Sequence, residues 1–134
     1  MKIFDCFMYY DENVVLDLRL NVLDKFVDKF IIVESTYTHS GENRKLLFDI
    51  NRFKDFKDKI IYIVLENQPL DLSRVEEEDS FDKKNSKYIL NALKRENLQR
   101  NTIINGLNDA SKDDLIIISD VDEIPNLENL NFDS

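Results

Sequence analysis

The sequence predicts an α/β fold: a mostly parallel sheet flanked by helices. Three observations predict it. Apolar runs rich in β-branched residues recur at 30–33, 60–65 and 115–119 without the alternation of a half-exposed strand, as expected of strands covered on both faces. Segments with apolar residues at helical spacing lie between them. The 134 residues contain only two glycines and two prolines and are 43% hydrophobic, which describes an ordered chain dense in regular elements.

Residues 2–9 are aromatic and apolar enough for a first strand, and Asp11 is placed to cap the helix after it. Leu16, Leu20, Leu23 and Val27 form one apolar stripe on that helix, which also carries Arg19 and Asp24. A second buried strand is closed by Glu34 and Ser35, and a polar loop runs to Gly41. Next comes a short helix with Leu47, Ile50 and Phe53 on one face, then the strand at 60–65. From about 66 to 82 the pattern is lost in an acidic stretch, Glu76-Glu77-Glu78-Asp79, which reads as a solvated loop with a mobile lid as its functional alternative. A helix from about 84 to 107 follows, with Glu96, Gln99, Arg100, Ile103 and Leu107 on one face. Ion pairing is the first expectation for its polar members. Residues 115–119, the most strongly apolar run, read as a central parallel strand.

The bulk numbers exclude several functions. A formal net charge of −9 leaves no basic face for nucleic acid, so an anionic ligand would need a cation as intermediary. The single cysteine, Cys6, reads as a buried free thiol. No run reaches bilayer-spanning length and no signal peptide is evident, which points to a cytoplasmic chain, free or membrane-associated. There is no dinucleotide fingerprint or phosphate loop. His39, the one histidine, reads as a surface residue of a polar loop.

In a mostly parallel sheet ligands bind beyond the carboxyl ends of the strands, which is where Asp5, Glu34, Asp120 and Asp122 should cluster, Asp5 deepest in its strand. Crowded carboxylates repel, and a divalent cation relieves the repulsion. In an extended segment Asp120 and Asp122 would point the same way and Val121 the opposite way, so both could face one ion; hard oxygen ligands suit Mn²⁺ or Mg²⁺. Such an ion would bridge the protein to a diphosphate and stabilise a departing phosphate.

Several segments together resemble glycosyltransferase family 17. They are Asp5-Cys6-Phe7; Arg19-Leu20 with Leu23; Val27-Asp28-Lys29-Phe30-Ile31-Ile32-Val33-Glu34-Ser35; Phe53 with Phe56-Lys57-Asp58-Lys59-Ile60; Arg95-Glu96 with Gln99-Arg100-Asn101; and Asp113-Asp114 through Ile118-Ser119-Asp120-Val121-Asp122-Glu123-Ile124-Pro125. The resemblance implies a GT-A-like, Rossmann-like fold over one nucleotide-sugar-binding domain, residues 1–134, incomplete at its C-terminus. It also implies transfer of a sugar, N-acetylglucosamine in this family, from a UDP-sugar donor to a glycan acceptor, as in protein N-linked glycosylation. Asp120-Val121-Asp122 matches the family's metal-binding Asp-x-Asp motif. Asp122 is then a metal ligand and Asp120 contacts metal or donor, with Glu34 and Arg100 on the donor side. The catalytic base and acceptor half are expected beyond this chain, in a partner chain if the enzyme is split.

Two other readings compete. A non-catalytic fragment would bind donor and transfer nothing. A phosphohydrolase of the haloacid dehalogenase type also carries Asp-x-Asp after an apolar strand, but there the motif opens the domain, whereas here it comes late.

Overall fold

The computed structural model of the chain describes residues 1–128, so 129–134 of the expected domain lie outside the described residues. Four strands, β1 (Ile3–Met8), β2 (Lys29–Ser35), β3 (Ile60–Leu65) and β4 (Leu115–Ile118), form one sheet in the order β3-β2-β1-β4. All three pairings are parallel. With helices α1 (Asn13–Leu23) and α2 (Phe81–Asn101) and two 3-10 segments, Ile50–Lys59 and Thr102–Gly106, this is the α/β architecture expected from the sequence.

The sheet is covered on both faces where β1 and β2 lie. On one face Ile3, Phe7, Phe30 and Ile32 meet Leu16, Leu20 and Leu23 of α1, with Phe53 of the first 3-10 segment beside them. The predicted stripe on α1 is therefore the buried one, and each such side chain removed from water contributes about 1.5–3 kcal/mol. On the other face Phe4, Cys6, Ile31 and Val33 pack against Ile103. The second 3-10 segment lies so close to β2 that a Cβ on Gly106 would stand 2.8 Å from the Ile31 side chain, so only glycine fits there. Burial pushes the Cys6 thiol up to about 12, as suits an inert core thiol.

Four expectations need correction. β4 is an edge strand of the described sheet, beyond β1, with Ile116 and Ile118 exposed. Four consecutive apolar residues carry no periodicity that could tell an edge from a centre. The long helix stops being α-helical at Asn101, where Thr102 turns its hydroxyl back onto the Leu98 carbonyl at 2.7 Å and the chain tightens into the 3-10 turn carrying Ile103. The residues before β3 form a 3-10 segment in which Phe53 is buried, while Leu47, outside it, stays exposed. Asp11 does not cap α1: the helix begins at Asn13 with Glu12 before it and no side-chain cap.

The acidic stretch has neither strand nor helix, as expected, but it is fastened to α2. Ser73 and Asn91 exchange two hydrogen bonds of 2.8 Å, and Lys87 reaches the Arg74 carbonyl at 2.8 Å and Asp79 at 2.6 Å. These bonds favour the fixed loop over the lid. Among the described residues no helix is long and apolar enough to cross a membrane.

Candidate functional site

Parallel pairing brings the carboxyl ends of all four strands to one edge of the sheet, and a cleft of about 430 Å³ opens there beside β1 and β4. Met8 and Tyr10 enter it from the end of β1, Glu12 and Val15 from the start of α1. His39 comes from the loop after β2, Glu96 from α2, and Asp120, Val121 and Asp122 from the segment after β4. Two other depressions, of about 490 and 640 Å³, contain neither aspartate.

The aspartate pair reaches the cleft by a different route from the one its spacing suggested. The strand ends at Ile118, and residues 120–123 form a turn in which the Glu123 amide donates to the Asp120 carbonyl at 2.9 Å. The Glu123 carboxylate closes it by accepting from the Asp120 amide at 3.1 Å. Val121 inserts into the core with 6% of its surface exposed while both aspartates stay in solvent. A turn, not the alternation of a strand, thus puts the two carboxylates on one cavity and the valine beneath them.

Among the described residues no cation pairs with either aspartate. Nor does a group of three or more acidic, histidine or cysteine side chains converge on one point. Two hard carboxylates with room beside them fit Mg²⁺ or Mn²⁺ held in part by ligand phosphate and water, since these ions commonly take one or two carboxylates and leave other positions to substrate.

The opposite wall is aromatic and well bonded. Tyr10 and His39 meet edge to face, 5.1 Å between centroids. The Tyr10 hydroxyl contacts His39 Nε2 and donates to Gln99 Oε1 at 2.9 Å. Burial, then the nearby Glu96 carboxylate, push the Tyr10 hydroxyl well above the ordinary tyrosine range, so it stays a neutral donor. Gln99 is buried and ties this wall to the sheet through the Val33 carbonyl at 3.1 Å. His39 is therefore a half-buried cleft residue, contrary to its reading as a surface residue of a polar loop. Arg95 holds its carbonyl at 3.0 Å. Gly41, at φ +91°, makes the turn behind it, where any Cβ would strike the Arg95 guanidinium at 2.5 Å.

Glu34 and Arg100 do not line this cleft. Glu34 is fully buried at the end of β2. Its oxygens accept from the Leu47 amide (2.8 Å), the Phe48 amide (3.1 Å) and the Tyr62 hydroxyl (2.5 Å), and pair with Arg44 at 2.9 Å. Arg100 pairs with Glu96 at 2.9 Å, the ion pairing expected for that helix face. Asp5 lies inside the sheet, gripped by Arg19 through bonds of 2.6 and 2.8 Å. Sequence reasoning missed Tyr10, Glu12 and Arg44; an aromatic doublet directly after a buried strand was the available signal for Tyr10. Arg44 joins β2 to the cleft by donating to the Ser35 and Tyr10 carbonyls at 2.5 and 2.6 Å.

The sequence profile of glycosyltransferase family 17 matches residues 1–133. Two curated proteins named beta-1,4-mannosyl-glycoprotein 4-beta-N-acetylglucosaminyltransferase, from Homo sapiens and Rattus norvegicus, are each 30% identical to the chain over 115 residues. The match covers 83% of this chain and 19% of each relative, so the chain spans about a fifth of their length. No solved structure matches.

Proposed function

Because the chain belongs to glycosyltransferase family 17, we propose that the cleft is the donor site of a metal-dependent transferase that moves a sugar, N-acetylglucosamine by the relatives' names, from a UDP carrier to a glycan acceptor. The observation that carries this is the pair of solvent-facing carboxylates, Asp120 and Asp122, on one cavity at the carboxyl end of a parallel sheet. A chain of charge −9 repels a nucleoside diphosphate unless a cation stands between them. In this reading Asp122 is a metal ligand and Asp120 contacts the metal or the donor.

The cation, Mn²⁺ or Mg²⁺, supplies neutralisation of the charge that grows on the diphosphate when the bond from the sugar's anomeric carbon breaks. The chain's own residues do the rest. The 120–123 turn holds the carboxylates, and Tyr10 and His39, set edge to face, line the cleft with aromatic surface against which a planar ring can pack. Glu34 and Arg100 act one step away, Glu34 by anchoring the 44–48 segment and Arg100 by holding Glu96 at the cleft wall.

Calorimetric titration of UDP and UDP-N-acetylglucosamine into the chain tests the proposal, with Mn²⁺ and again with a chelator. Binding should require the metal and disappear in Asp122→Asn. Equal binding with and without metal, or none in either condition, defeats it.

A further inference from the structure

The one buried arginine among the described residues touches far more than its ion-pair partner. Arg19, on α1, is completely buried. Its Nε and Nη2 fork onto the two oxygens of Asp5 at 2.8 and 2.6 Å, which fixes the plane of the guanidinium. The remaining donors reach the segment after β4. Nη1 bonds the carbonyls of Asp120 at 2.7 Å, Glu123 at 3.0 Å and Val121 at 3.3 Å, and Nη2 bonds the Ser119 hydroxyl at 2.7 Å. Ser119 then donates to the Glu123 carbonyl at 3.1 Å.

An ion pair alone would need only Asp5. Here one guanidinium collects three carbonyls and a hydroxyl of a single turn, 101 residues away from it at Asp120. Every backbone carbonyl it holds belongs to the turn that presents the two cleft aspartates. We propose that Arg19 is the positioning residue of the Asp120-Val121-Asp122 turn, and that Asp5 orients Arg19 for that task. The proposal rests on the reading of Asp120 and Asp122 as cation ligands. The turn has no helix or sheet ladder of its own, so without the arginine the Val121 carbonyl would lose its partner, the Asp120 and Glu123 carbonyls would keep only the Glu123 amide and the Ser119 hydroxyl, and the two carboxylates would lose their fixed separation. Lysine cannot substitute, because an ammonium has three donors on a flexible stem and no planar fork that meets an acid on one side and carbonyls on another.

Arg19→Lys in the full chain tests this, with two readouts: amide hydrogen exchange at Glu123, whose N–H closes the turn, and Mn²⁺ affinity in the presence of UDP by electron paramagnetic resonance. Exchange at Glu123 should quicken about tenfold and Mn²⁺ should bind about tenfold more weakly, while β1 and β2 keep their protection. Unchanged exchange at Glu123, or faster exchange with unchanged Mn²⁺ affinity, overturns the proposal. Asp122→Asn separates it from the reading beneath it. That variant should lose Mn²⁺ with exchange at Glu123 as in the wild type; full Mn²⁺ affinity in Asp122→Asn removes the cation site itself and this proposal with it. If Arg19→Lys does not fold, Ser119→Ala replaces it, deleting at a half-buried position the hydroxyl that accepts from Arg19 and donates to the Glu123 carbonyl. Exchange at Glu123 should then quicken about threefold and Mn²⁺ affinity fall in step, and no change in either overturns the assignment.

Discussion

Asp5 and Glu34 belong to the same sheet as the segment carrying Asp120 and Asp122, yet the two pairs of acids have opposite surroundings. The first two are fully buried, and every oxygen they carry is engaged: Asp5 by Arg19, Glu34 by two amides, Tyr62 and Arg44. The second two stand in solvent at the cleft with no cation on them among the described residues. Taking a carboxylate out of water demands that its charge be met at once, whereas at the surface two neighbouring carboxylates are tolerable and remain available. The acids of this sheet and of the segment after β4 therefore divide into those engaged by the fold and those left open to solvent, and burial separates them.

The sharpest way to break the contrast is Asp5→Ala, which leaves the Arg19 charge buried without its acid. It should cost about 3–5 kcal/mol in urea unfolding; a loss below about 1 kcal/mol would mean the carbonyls alone keep Arg19 satisfied. Glu34→Gln retains the shape but not the charge facing Arg44, and should lower stability by about 2 kcal/mol in the same measurement. Asp120→Asn and Asp122→Asn should each stay within about 0.5 kcal/mol of the wild type, whatever they do to metal binding. A large loss from either would place it with the structural acids.

Asp79 lies between the two classes, and its effect is read from pH dependence. Bonds from Lys87, the Glu76 amide and Lys83 hold its carboxyl at about 2, below an ordinary 3.8. Because the folded value is the lower one, its contribution is complete above pH 3.8 and is lost as pH falls through about 2. Thermal melts of wild type and Asp79→Asn should accordingly differ at neutral pH and converge near pH 2; a gap of constant size across that window would contradict the assignment.

The same division explains what could be read in the chain before it folded. The apolar runs at 30–33 and 60–65 lie within β2 and coincide with β3, although only the first is fully buried and β3, an edge of the described sheet, is half-buried, and the stripe of Leu16, Leu20 and Leu23 is the face α1 buries. Each is a local pattern whose period is set by backbone geometry. The edge position of β4 was hidden because Leu115–Ile118 is apolar throughout and sheet order is not a local property. Glu34 and Arg100 carried the residue types of a ligand site, and the structure sets them outside the cleft lining, paired with Arg44 and Glu96. His39 carried no signal at all, and it reaches the cleft only because the loop through Gly41 folds back against α2.

By itself, then, the sequence determined the class of fold, the fully buried run at 30–33, and the presence of an acidic pair shortly after the apolar run at 115–119. Only the tertiary structure decided that this pair sits on a turn and not on a strand, that Tyr10 and His39 face it, and that Arg19 holds the turn from a helix 101 residues earlier. Periodicity is enforced between neighbours along the chain, whereas the neutralisation of a charge depends on which groups meet in space, and the packing of α1 against the sheet settles that.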